Sequence, residues 1–295
     1  MTAQDLSITS IPFCAEKIWC GGKLCTRHEA SIDPVDRGFT LGLGVFETLL
    51  FKDAKVPAFH RHYERLEHSA RQLAIEAPER NTLRAICATV LTANSLDKGL
   101  ARIRVSLSAG PYAMGASLTP SAATLVVTAS ALPAIASNTT ARLATVPWPR
   151  NEFGALVGIK ALSYAENALA LDYARRHSAD EALILNTQGQ LCEGSTSNLW
   201  YFVGDELHTP AVESGCLPGI TRALLVEYCG ILGVSVNTQP AKLEALLAAS
   251  EVFITSATRG IQGVSSVDGV SFAHAPGRQT TLLQRGFSEY LDGLS

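Results

Sequence analysis

Three features are missing from this 295-residue chain, and each absence excludes a class of protein. Charge of one sign is not in excess: 17% of the residues are charged and the net charge is −3, which leaves no basic stripe for a nucleic acid. No segment reaches the roughly 18 consecutive apolar residues of a membrane span. The amino terminus also has neither a basic leader nor a secretory apolar run. We therefore expect a cytoplasmic protein with a small-molecule partner rather than a nucleic acid or a membrane.

The seven cysteines follow no pairing pattern. They are odd in number, are scattered along the chain and include no Cys-x-x-Cys pair. This spacing argues against a disulfide framework and against a zinc site. Most of the cysteines are expected to be small, buried, hydrophobic side chains.

The hydrophobic content, 47% of the residues, is sufficient for a large core, and the length favours two domains over one. Helical and strand patterns are mixed along the chain, which predicts an α/β (α+β) fold. We expect an N-terminal α/β domain at residues 1–128 and a C-terminal domain at 141–295. The segment between them, residues 129–140, is low in charge and rich in Ala, Ser and Thr, as is typical of a connection.

One lysine, Lys160, stands among small and apolar residues in the segment GIKALSYAEN, residues 158–167. Ser163 and Glu166 have the spacing of a capping box, which predicts a helix that begins near Tyr164. Lys160 is therefore expected just upstream of that helix, on a strand end or a loop. A lysine shielded from water loses affinity for its proton and becomes the nucleophile that carbonyl chemistry requires. The alternative is an ordinary solvent-exposed lysine.

An arginine and a helix start are candidates for binding an anion. Arg65 lies beside the apolar face of a helix predicted at His62–Leu73, and its alternative role is a surface ion pair with Glu64 or Glu67. The segment GCLPGITR, residues 215–222, places Pro and Gly directly before another predicted helix. Free N–H groups at such a helix start suit a phosphate, although an ordinary turn-to-helix junction has the same sequence pattern.

Two further motifs resemble binding sites but are incomplete. His60 and His62 form a His-x-His pair that could hold a metal on a strand, but no third ligand has a suitable spacing, so metal binding is not expected. Gly42 and Gly44 match part of a dinucleotide-binding loop. The third glycine and the preceding strand are both missing, which excludes that interpretation.

Glu193 ends a predicted hairpin strand, where a glutamate is ordinarily solvated. Together with Lys160, Arg65 and the N–H and hydroxyl donors of the turns GCLPGITR and TSATRG, residues 215–222 and 255–260, it fits a single ligand. Pyridoxal 5'-phosphate has an aldehyde that reacts with an amine and a phosphate that binds an arginine and a helix start. Its pyridine nitrogen must stay protonated, which a nearby carboxylate achieves. The co-occurrence of these residues therefore predicts pyridoxal 5'-phosphate as the cofactor.

Several separated segments resemble the class-IV aminotransferases, the fold-type IV pyridoxal-phosphate enzymes. This family includes branched-chain and D-amino-acid aminotransferases and 4-amino-4-deoxychorismate lyase. The segments occur in order between about Ser31 and Val267, and they read DRGFTLGLGVFETLL, ERLEHSA, GIKALSYAENALA, DEALILN, EGSTSN and LPGITR. The resemblance implies two α/β domains with the cofactor at the domain interface, usually in a homodimer whose partner contributes to the pocket.

The resemblance also implies roles for individual residues. Lys160 would form the Schiff base and act as general base, Arg65 would bind the phosphate, and Glu193 would partner the pyridine nitrogen. Tyr164 would hydrogen-bond the ring hydroxyl. The other cofactor contacts would come from Asn198, Ile220, Thr221, Ser256 and Ala257, and the substrate side would be lined by Phe46, Tyr112, Met114, Thr258 and Arg259.

Two departures from the family pattern bear on the substrate. The loop SAGPYAMGAS, residues 108–117, has no arginine where the D-amino-acid enzymes and the lyases commonly place one, although Arg259 or Arg37 could substitute. The Gly-Thr-Ala turn of branched-chain enzymes reads Ser-Ala-Thr here, at residues 256–258. We expect an aminotransferase that moves an amino group between an amino acid, or an amine, and a 2-oxo acid. The alternative is 4-amino-4-deoxychorismate lyase, which releases pyruvate and 4-aminobenzoate.

Overall fold

The computed structural model describes residues 16–112, 118, 122–133 and 138–294, which form two β-sheets with helices packed against them. The helices of this described part are α1 Arg37–Leu41, α2 Phe59–Gln72, α3 Arg80–Ala93, α4 Ala165–Arg176, α5 Ile220–Ile231, α6 Leu243–Leu247 and α7 Arg278–Gly293. Its strands are β1 Lys17–Cys20, β2 Lys23–Thr26, β3 Gly44–Lys52, β4 Leu100–Ser108, β5 Thr124–Ala131, β6 Ala141–Thr145, β7 Glu181–Leu185, β8 Leu191–Gly194, β9 Asn198–Val203, β10 Glu206–His208, β11 Val236–Asn237, β12 Glu251–Ser256, β13 Gly260–Val267 and β14 Val270–Ser271.

The first sheet has the strand order β2-β1-β5-β4-β3 and is antiparallel throughout. Successive side chains of a strand point to opposite faces, so the alternating sequence of β4 divides into two sets. Ile103, Val105 and Leu107 are buried in a core that α2 and α3 complete. Arg102 and Arg104 lie on the other face, which lines a cavity.

The second sheet has the order β11-β10-β9-β12-β13-β6-β7-β8, with β14 paired to β13. Its pairs β6–β7, β6–β13 and β10–β11 are parallel, and the other pairs are antiparallel. Both faces of β9 and β12 are buried, since Leu199 and Val252 belong to one apolar cluster while Trp200 and Phe253 belong to another, covered by α5 and α7. These two strands are therefore rigid supports for the turns at their ends.

The capping box predicted at Ser163 and Glu166 does not form. The Ser163 hydroxyl donates instead to the carbonyl oxygen of Gly42 at 3.0 Å, and Glu166 forms an ion pair with Arg150. Helix α4 still begins where the sequence predicts, after Tyr164, with no side-chain hydrogen bond at its N-cap. Ser163 thus connects the start of α4 to the end of α1 rather than closing its own helix.

Several elements of the described part were not predicted, among them α1, β6 and β13, and the connection was predicted to begin too early. Helix α1 begins after Asp36, whose carboxylate accepts a hydrogen bond from the Gly38 N–H at 2.7 Å. Strand β13 pairs with β12 across the turn 257–259. Strand β5 continues to Ala131, so three residues of the predicted connection belong to the first sheet. The positions of the domain boundaries stay a prediction.

In the part of the chain that the structure describes, no helix combines the length and the apolar character that crossing a bilayer requires.

Candidate active site

A cavity of about 770 Å³ lies where the two sheets face each other across the segment that carries Lys160. Its walls come from β3 and β4 of the first sheet, from β8 and the start of β9, from the start of α5, and from the turn that follows β12. The residues predicted for the site that line it are Phe46, Arg65, Lys160, Tyr164, Glu193, Asn198, Ile220, Thr221, Ser256, Ala257, Thr258 and Arg259.

Lys160 lines this cavity, where it is largely shielded from solvent, and it is held at its backbone. Its carbonyl oxygen accepts a hydrogen bond from the Phe46 N–H at 2.9 Å, and Ala161 forms a β-bridge with Val45. The amine lies 4.3 Å from the centroid of the Phe46 ring and 5.9 Å from that of Tyr164. Burial, followed by the positive charge of Arg65, lowers the pKa of Lys160 from 10.5 to about 8. The amine therefore reaches its neutral, nucleophilic form near physiological pH.

Arg65 is fixed by partners from both halves of the chain. Its Nε and Nη2 donate to the two carboxylate oxygens of Glu47 at 2.7 and 2.8 Å. Its Nη1 donates to the carbonyl oxygen of Pro218 at 3.0 Å. The surface ion pair with Glu64 or Glu67 does not form, because the guanidinium turns toward β3 and the cavity.

The start of α5 lies beside this arginine. Helix α5 begins at Ile220, and no described side chain caps it, which leaves N–H groups free for an anion. Gly219, the N-cap residue, passes so close to Asn198 that an added Cβ would lie 2.0 Å from its Oδ1. Asn198 also donates to the carbonyl oxygen of Leu217 at 2.9 Å and so holds the loop in place. An uncapped helix start next to an arginine suits a phosphate group.

Glu193 is a buried carboxylate on β8. Its Oε2 accepts a hydrogen bond from the Leu217 N–H at 2.9 Å, and its Oε1 accepts one from Arg150 at 3.3 Å. Burial raises the pKa of Glu193, while the Arg150 guanidinium and the Leu217 amide oppose that rise. Arg150 also pairs with Glu166 at the edge of the cavity. Glu193 is thus an oriented acceptor for a protonated nitrogen inside the cavity.

Tyr164 packs its ring edge-on against Phe46, with the ring centroids 5.1 Å apart. Its hydroxyl donates to the Ser195 carbonyl oxygen at 2.9 Å, and Asn167 donates to the same oxygen at 2.7 Å. Burial, followed by the charges of nearby carboxylates, raises the pKa of Tyr164 to about 12. The phenol therefore keeps its proton and acts as a hydrogen-bond donor in the cavity.

Arg104 is a cavity residue that was not predicted as part of the site. Its guanidinium carbon lies 3.4 Å from the centroid of the Phe46 ring, and its Nε donates to the Ser106 hydroxyl at 3.4 Å. No carboxylate of the described residues forms an ion pair with it, and burial lowers its pKa to about 10. The cavity thus contains a mostly buried cation that can take a carboxylate from a ligand.

The turn after β12 brings Thr258 and Arg259 to the cavity. Arg259 is already engaged, because its Nη1 lies 3.0 Å from Oε2 of Glu181, a fully buried carboxylate on β7. Glu181 also accepts hydrogen bonds from the hydroxyls of Ser195 and Thr196. Glu181 thus links the turn that carries Ser195 and Thr196 to the turn 257–259 at the rim of the cavity. Because of this ion pair, Arg259 is less available to a ligand than Arg104.

Arg37 and Tyr112, which were proposed near the substrate, do not line the cavity. Arg37 is buried and donates to the carbonyl oxygens of Ala109 and Gly110, so it does not substitute for a loop arginine in this cavity. Tyr112 stacks on Arg37, with 5.1 Å between the guanidinium carbon and the ring centroid, and does not line the cavity. Met114 lies outside the described residues.

His60 and His62 lie on helix α2 rather than on a strand, so their side chains do not share a face. The His62 Nδ1 lies 2.8 Å from Oε2 of Glu47, whereas His60 is exposed. Among the residues that the structure describes, no group of three potential metal ligands is present.

The family profile and the related sequences all indicate one protein family. The sequence profile described as Amino-transferase class IV matches residues 44–267. Aminodeoxychorismate lyase of Bacillus subtilis is 27% identical over 269 residues, which cover 90% of this chain and 92% of that protein. Branched-chain-amino-acid aminotransferase of Salmonella typhimurium is 29% identical over 306 residues, with 92% of each chain covered.

Solved structures agree with the fold. The branched-chain amino acid aminotransferase of Escherichia coli superposes with a TM-score of 0.86 at 26% identity, covering 95% of this chain and 96% of the other. The branched-chain amino acid aminotransferase of T.th., complexed with N-(5'-phosphopyridoxyl)-L-glutamate, gives a TM-score of 0.85 at 27% identity, covering 95% of both chains.

The chain belongs to the class IV aminotransferase family, because the family profile covers most of its length. It is an enzyme of the two-domain fold-type IV class, and the cofactor of this class is pyridoxal 5'-phosphate. The predictions of family, fold class and cofactor are confirmed. The residues present also fit that cofactor, since a buried amine, an uncapped helix start beside an arginine, and an oriented carboxylate all line one cavity.

Proposed function

We propose that the chain transfers an amino group between an amino acid and a 2-oxo acid, using pyridoxal 5'-phosphate bound in the cavity described above. The observation that carries this proposal is the environment of Lys160. Its amine is buried, has a pKa of about 8, and shares the cavity with Arg65 and Glu193. A structural lysine would be exposed or paired with a carboxylate.

Each part of the cofactor would have a partner in this chain. Arg65 and the N–H groups at the start of α5 would bind the phosphate. Lys160 would hold the aldehyde carbon covalently, and Glu193 would keep the pyridine nitrogen protonated. The Tyr164 oxygen, whose single proton goes to the Ser195 carbonyl oxygen, would accept a hydrogen bond from the ring hydroxyl. The bound cofactor supplies an electron sink for the electron pair released at the substrate α-carbon.

Lys160 would also move the proton during the reaction. The neutral Nζ would take the proton from the substrate α-carbon and hold it inside the cavity until it is given back. A base whose pKa lies near the working pH can perform both transfers. Tyr164, with a pKa of about 12, would remain protonated throughout.

Arg104 supports a carboxylate-bearing substrate. It is buried against the Phe46 ring, and Lys160 contacts that same ring, so a substrate carboxylate at Arg104 would lie near the reacting carbon. The α-carboxylate common to amino acids and 2-oxo acids fits such a site, as does a second carboxylate on a side chain.

4-Amino-4-deoxychorismate lyase is the second candidate. It is favoured by the relative from Bacillus subtilis, which matches over most of both chains. The same lysine would then assist the loss of pyruvate and leave 4-aminobenzoate. Both candidates need Lys160, and so they differ in substrate rather than in cofactor.

One pair of assays separates the two candidates. Amino transfer to an oxo acid is measured from L-leucine, D-alanine and an aromatic amine, and release of 4-aminobenzoate is measured from aminodeoxychorismate in parallel. We expect amino transfer from at least one donor. Production of 4-aminobenzoate without measurable amino transfer would overturn the first candidate in favour of the second.

A homodimer is part of the proposal. Leu156 lines the cavity and is 42% exposed, and Phe153, three residues before it, is 79% exposed. Such side chains are typical of an interface. Sedimentation analysis should give twice the chain mass, and a monomer would contradict this part. The cytoplasmic location rests on the sequence and stays a prediction.

A further inference from the structure

Glu47 is a buried carboxylate that the proposed reaction does not use. Its side chain is 2% exposed, and it is not among the residues that line the cavity. It follows Phe46 on β3, so its side chain points away from the cavity side of the strand. Burial alone would raise its pKa, but the charge of Arg65 and the hydrogen bond from His62 outweigh burial and hold the pKa at about 2. Glu47 is therefore a permanent anion behind the wall of the cavity.

Three donors converge on this carboxylate from one face of α2. His62 and Arg65 are one helical turn apart, and so both reach β3. Oε2 accepts from the His62 Nδ1 and from the Arg65 Nη2, each at 2.8 Å, while Oε1 accepts from the Arg65 Nε at 2.7 Å. With both oxygens engaged, the carboxylate has a single orientation.

The same contacts determine where the Arg65 guanidinium lies. A guanidinium has five N–H donors in one plane. Two of them go to Glu47 and a third goes to the carbonyl oxygen of Pro218 at 3.0 Å, directly before the start of α5. The two remaining N–H groups, one on each terminal nitrogen, belong to a side chain that lines the cavity. The planar pair of hydrogen bonds therefore sets the direction in which Arg65 offers its other donors.

We propose that Glu47 is a positioning residue that orients Arg65 toward the phosphate of the cofactor, and that it gives the site its preference for a phosphorylated ligand over the same ligand without phosphate. This inference rests on the proposed function. A purely structural ion pair would instead affect the binding of both ligands equally.

The experiment compares two ligands that differ only in the phosphate. Affinities of the cofactor-free protein for pyridoxal 5'-phosphate and for pyridoxal are measured by quenching of tryptophan fluorescence. The ratio of the two affinities reports the phosphate contribution without any turnover. In Glu47→Gln, which keeps the shape and removes the charge, this ratio should fall by about 10- to 100-fold, the effect of losing oriented hydrogen bonds to a charged group. The affinity for pyridoxal should be unchanged.

The chain offers a matched control on the same helix. Arg61 also donates two hydrogen bonds to one carboxylate, that of Glu227, at 2.6 and 3.0 Å, but this ion pair is on the surface. Glu227→Gln should leave the affinity ratio at the wild-type value. Should Glu47→Gln not fold, Glu47→Asp gives the same test, since the shorter side chain cannot span both nitrogens of Arg65, and its ratio should also fall.

Each outcome decides the matter. A lower ratio in the Glu47 variant with an unchanged affinity for pyridoxal supports the proposal. A wild-type ratio, or an equal loss for both ligands, overturns it and leaves the proposed function intact. If the wild-type protein binds neither ligand, the proposed function itself fails, and this inference fails with it.

Discussion

Arg104 and Lys160 contact the same aromatic ring. The guanidinium carbon of Arg104 lies 3.4 Å from the centroid of Phe46, and the amine of Lys160 lies 4.3 Å from that centroid. Each cation receives favourable electrostatic contact from the ring, and neither forms an ion pair with a carboxylate of the described residues. Phe46 also helps to exclude water from the amine, and burial is the largest cause of the lowered pKa of Lys160.

Opening the site at Phe46 should raise the pKa of Lys160. In Phe46→Ala, water reaches the amine, so the pKa should move from about 8 toward the usual 10.5. The neutral amine is the reactive form, and the rate of covalent cofactor attachment should therefore rise with pH over a more alkaline range than in the wild type. This rate is measured by the absorbance change on adding pyridoxal 5'-phosphate at a series of pH values. Phe46→Leu, which keeps the amine dry, is the control, and an unshifted midpoint in the alanine variant would contradict the account.

Removing Arg104 should weaken substrate binding without weakening cofactor binding. In Arg104→Gln, the KM for an amino acid or a 2-oxo acid should rise by about 10- to 100-fold, because a charge-assisted hydrogen bond to the carboxylate is lost. Steady-state kinetics with saturating cofactor measure this change. The control is Arg84→Gln, whose guanidinium carbon lies 4.7 Å from the centroid of the Phe59 ring but which does not line the cavity. Equal KM values in the Arg104 variant and the wild type would refute a role in substrate binding.

Neutralising Glu193 should separate cofactor binding from turnover. In Glu193→Gln, the phosphate contacts and Lys160 remain, so pyridoxal 5'-phosphate should still attach. The amide cannot keep the pyridine nitrogen protonated, and kcat should fall by about 100- to 1000-fold, as for other oriented electrostatic partners. Absorbance and steady-state turnover are measured together. Glu166→Gln is the control, because Glu166 also pairs with Arg150 but is half-exposed. A normal kcat in Glu193→Gln would rule out the role of Glu193 in keeping the pyridine nitrogen protonated.

The carboxylate of Glu47 should make stability depend on pH in the acid range. Its folded-state pKa is lowered from 4.5 to about 2, so its contribution is fully present above pH 4.5 and is lost as the pH falls toward 2. The contribution is about 3 kcal/mol in the free energy of unfolding. The difference in the free energy of unfolding between wild type and Glu47→Gln is measured by urea unfolding. This difference should narrow by about half between about pH 6 and about pH 3. A difference independent of pH would show that the charge of Glu47 is not involved.

Much of the cofactor site could be predicted from the sequence because its residues carry local signals. Lys160 is conspicuous by its apolar neighbours, and the start of α5 by Pro-Gly before an apolar stripe. The strand and helix that hold Phe46 and Arg65 follow ordinary periodicity. Each of these features depends on a few adjacent residues, and so it can be recognised without knowing which distant segments meet in the fold.

The partners of these residues could not be predicted, because they come from distant segments. Arg65 meets Glu47, 18 positions away, and Pro218, 153 positions away, rather than its neighbours on the helix. The capping box failed for the same reason: Ser163 finds a partner 121 positions away in Gly42. Arg65 pairs with Glu47 rather than with its helix neighbours, since an unsatisfied buried carboxylate costs more than a lost surface ion pair.

The most direct test of the account is covalent labelling of Lys160. The protein is incubated with pyridoxal 5'-phosphate, reduced with borohydride, digested and analysed by mass spectrometry, and Lys160→Ala is treated in the same way. We predict that the label is on Lys160 in the wild type and that Lys160→Ala has neither this label nor turnover with added cofactor. A label confined to surface lysines, or full turnover in Lys160→Ala, would contradict the account.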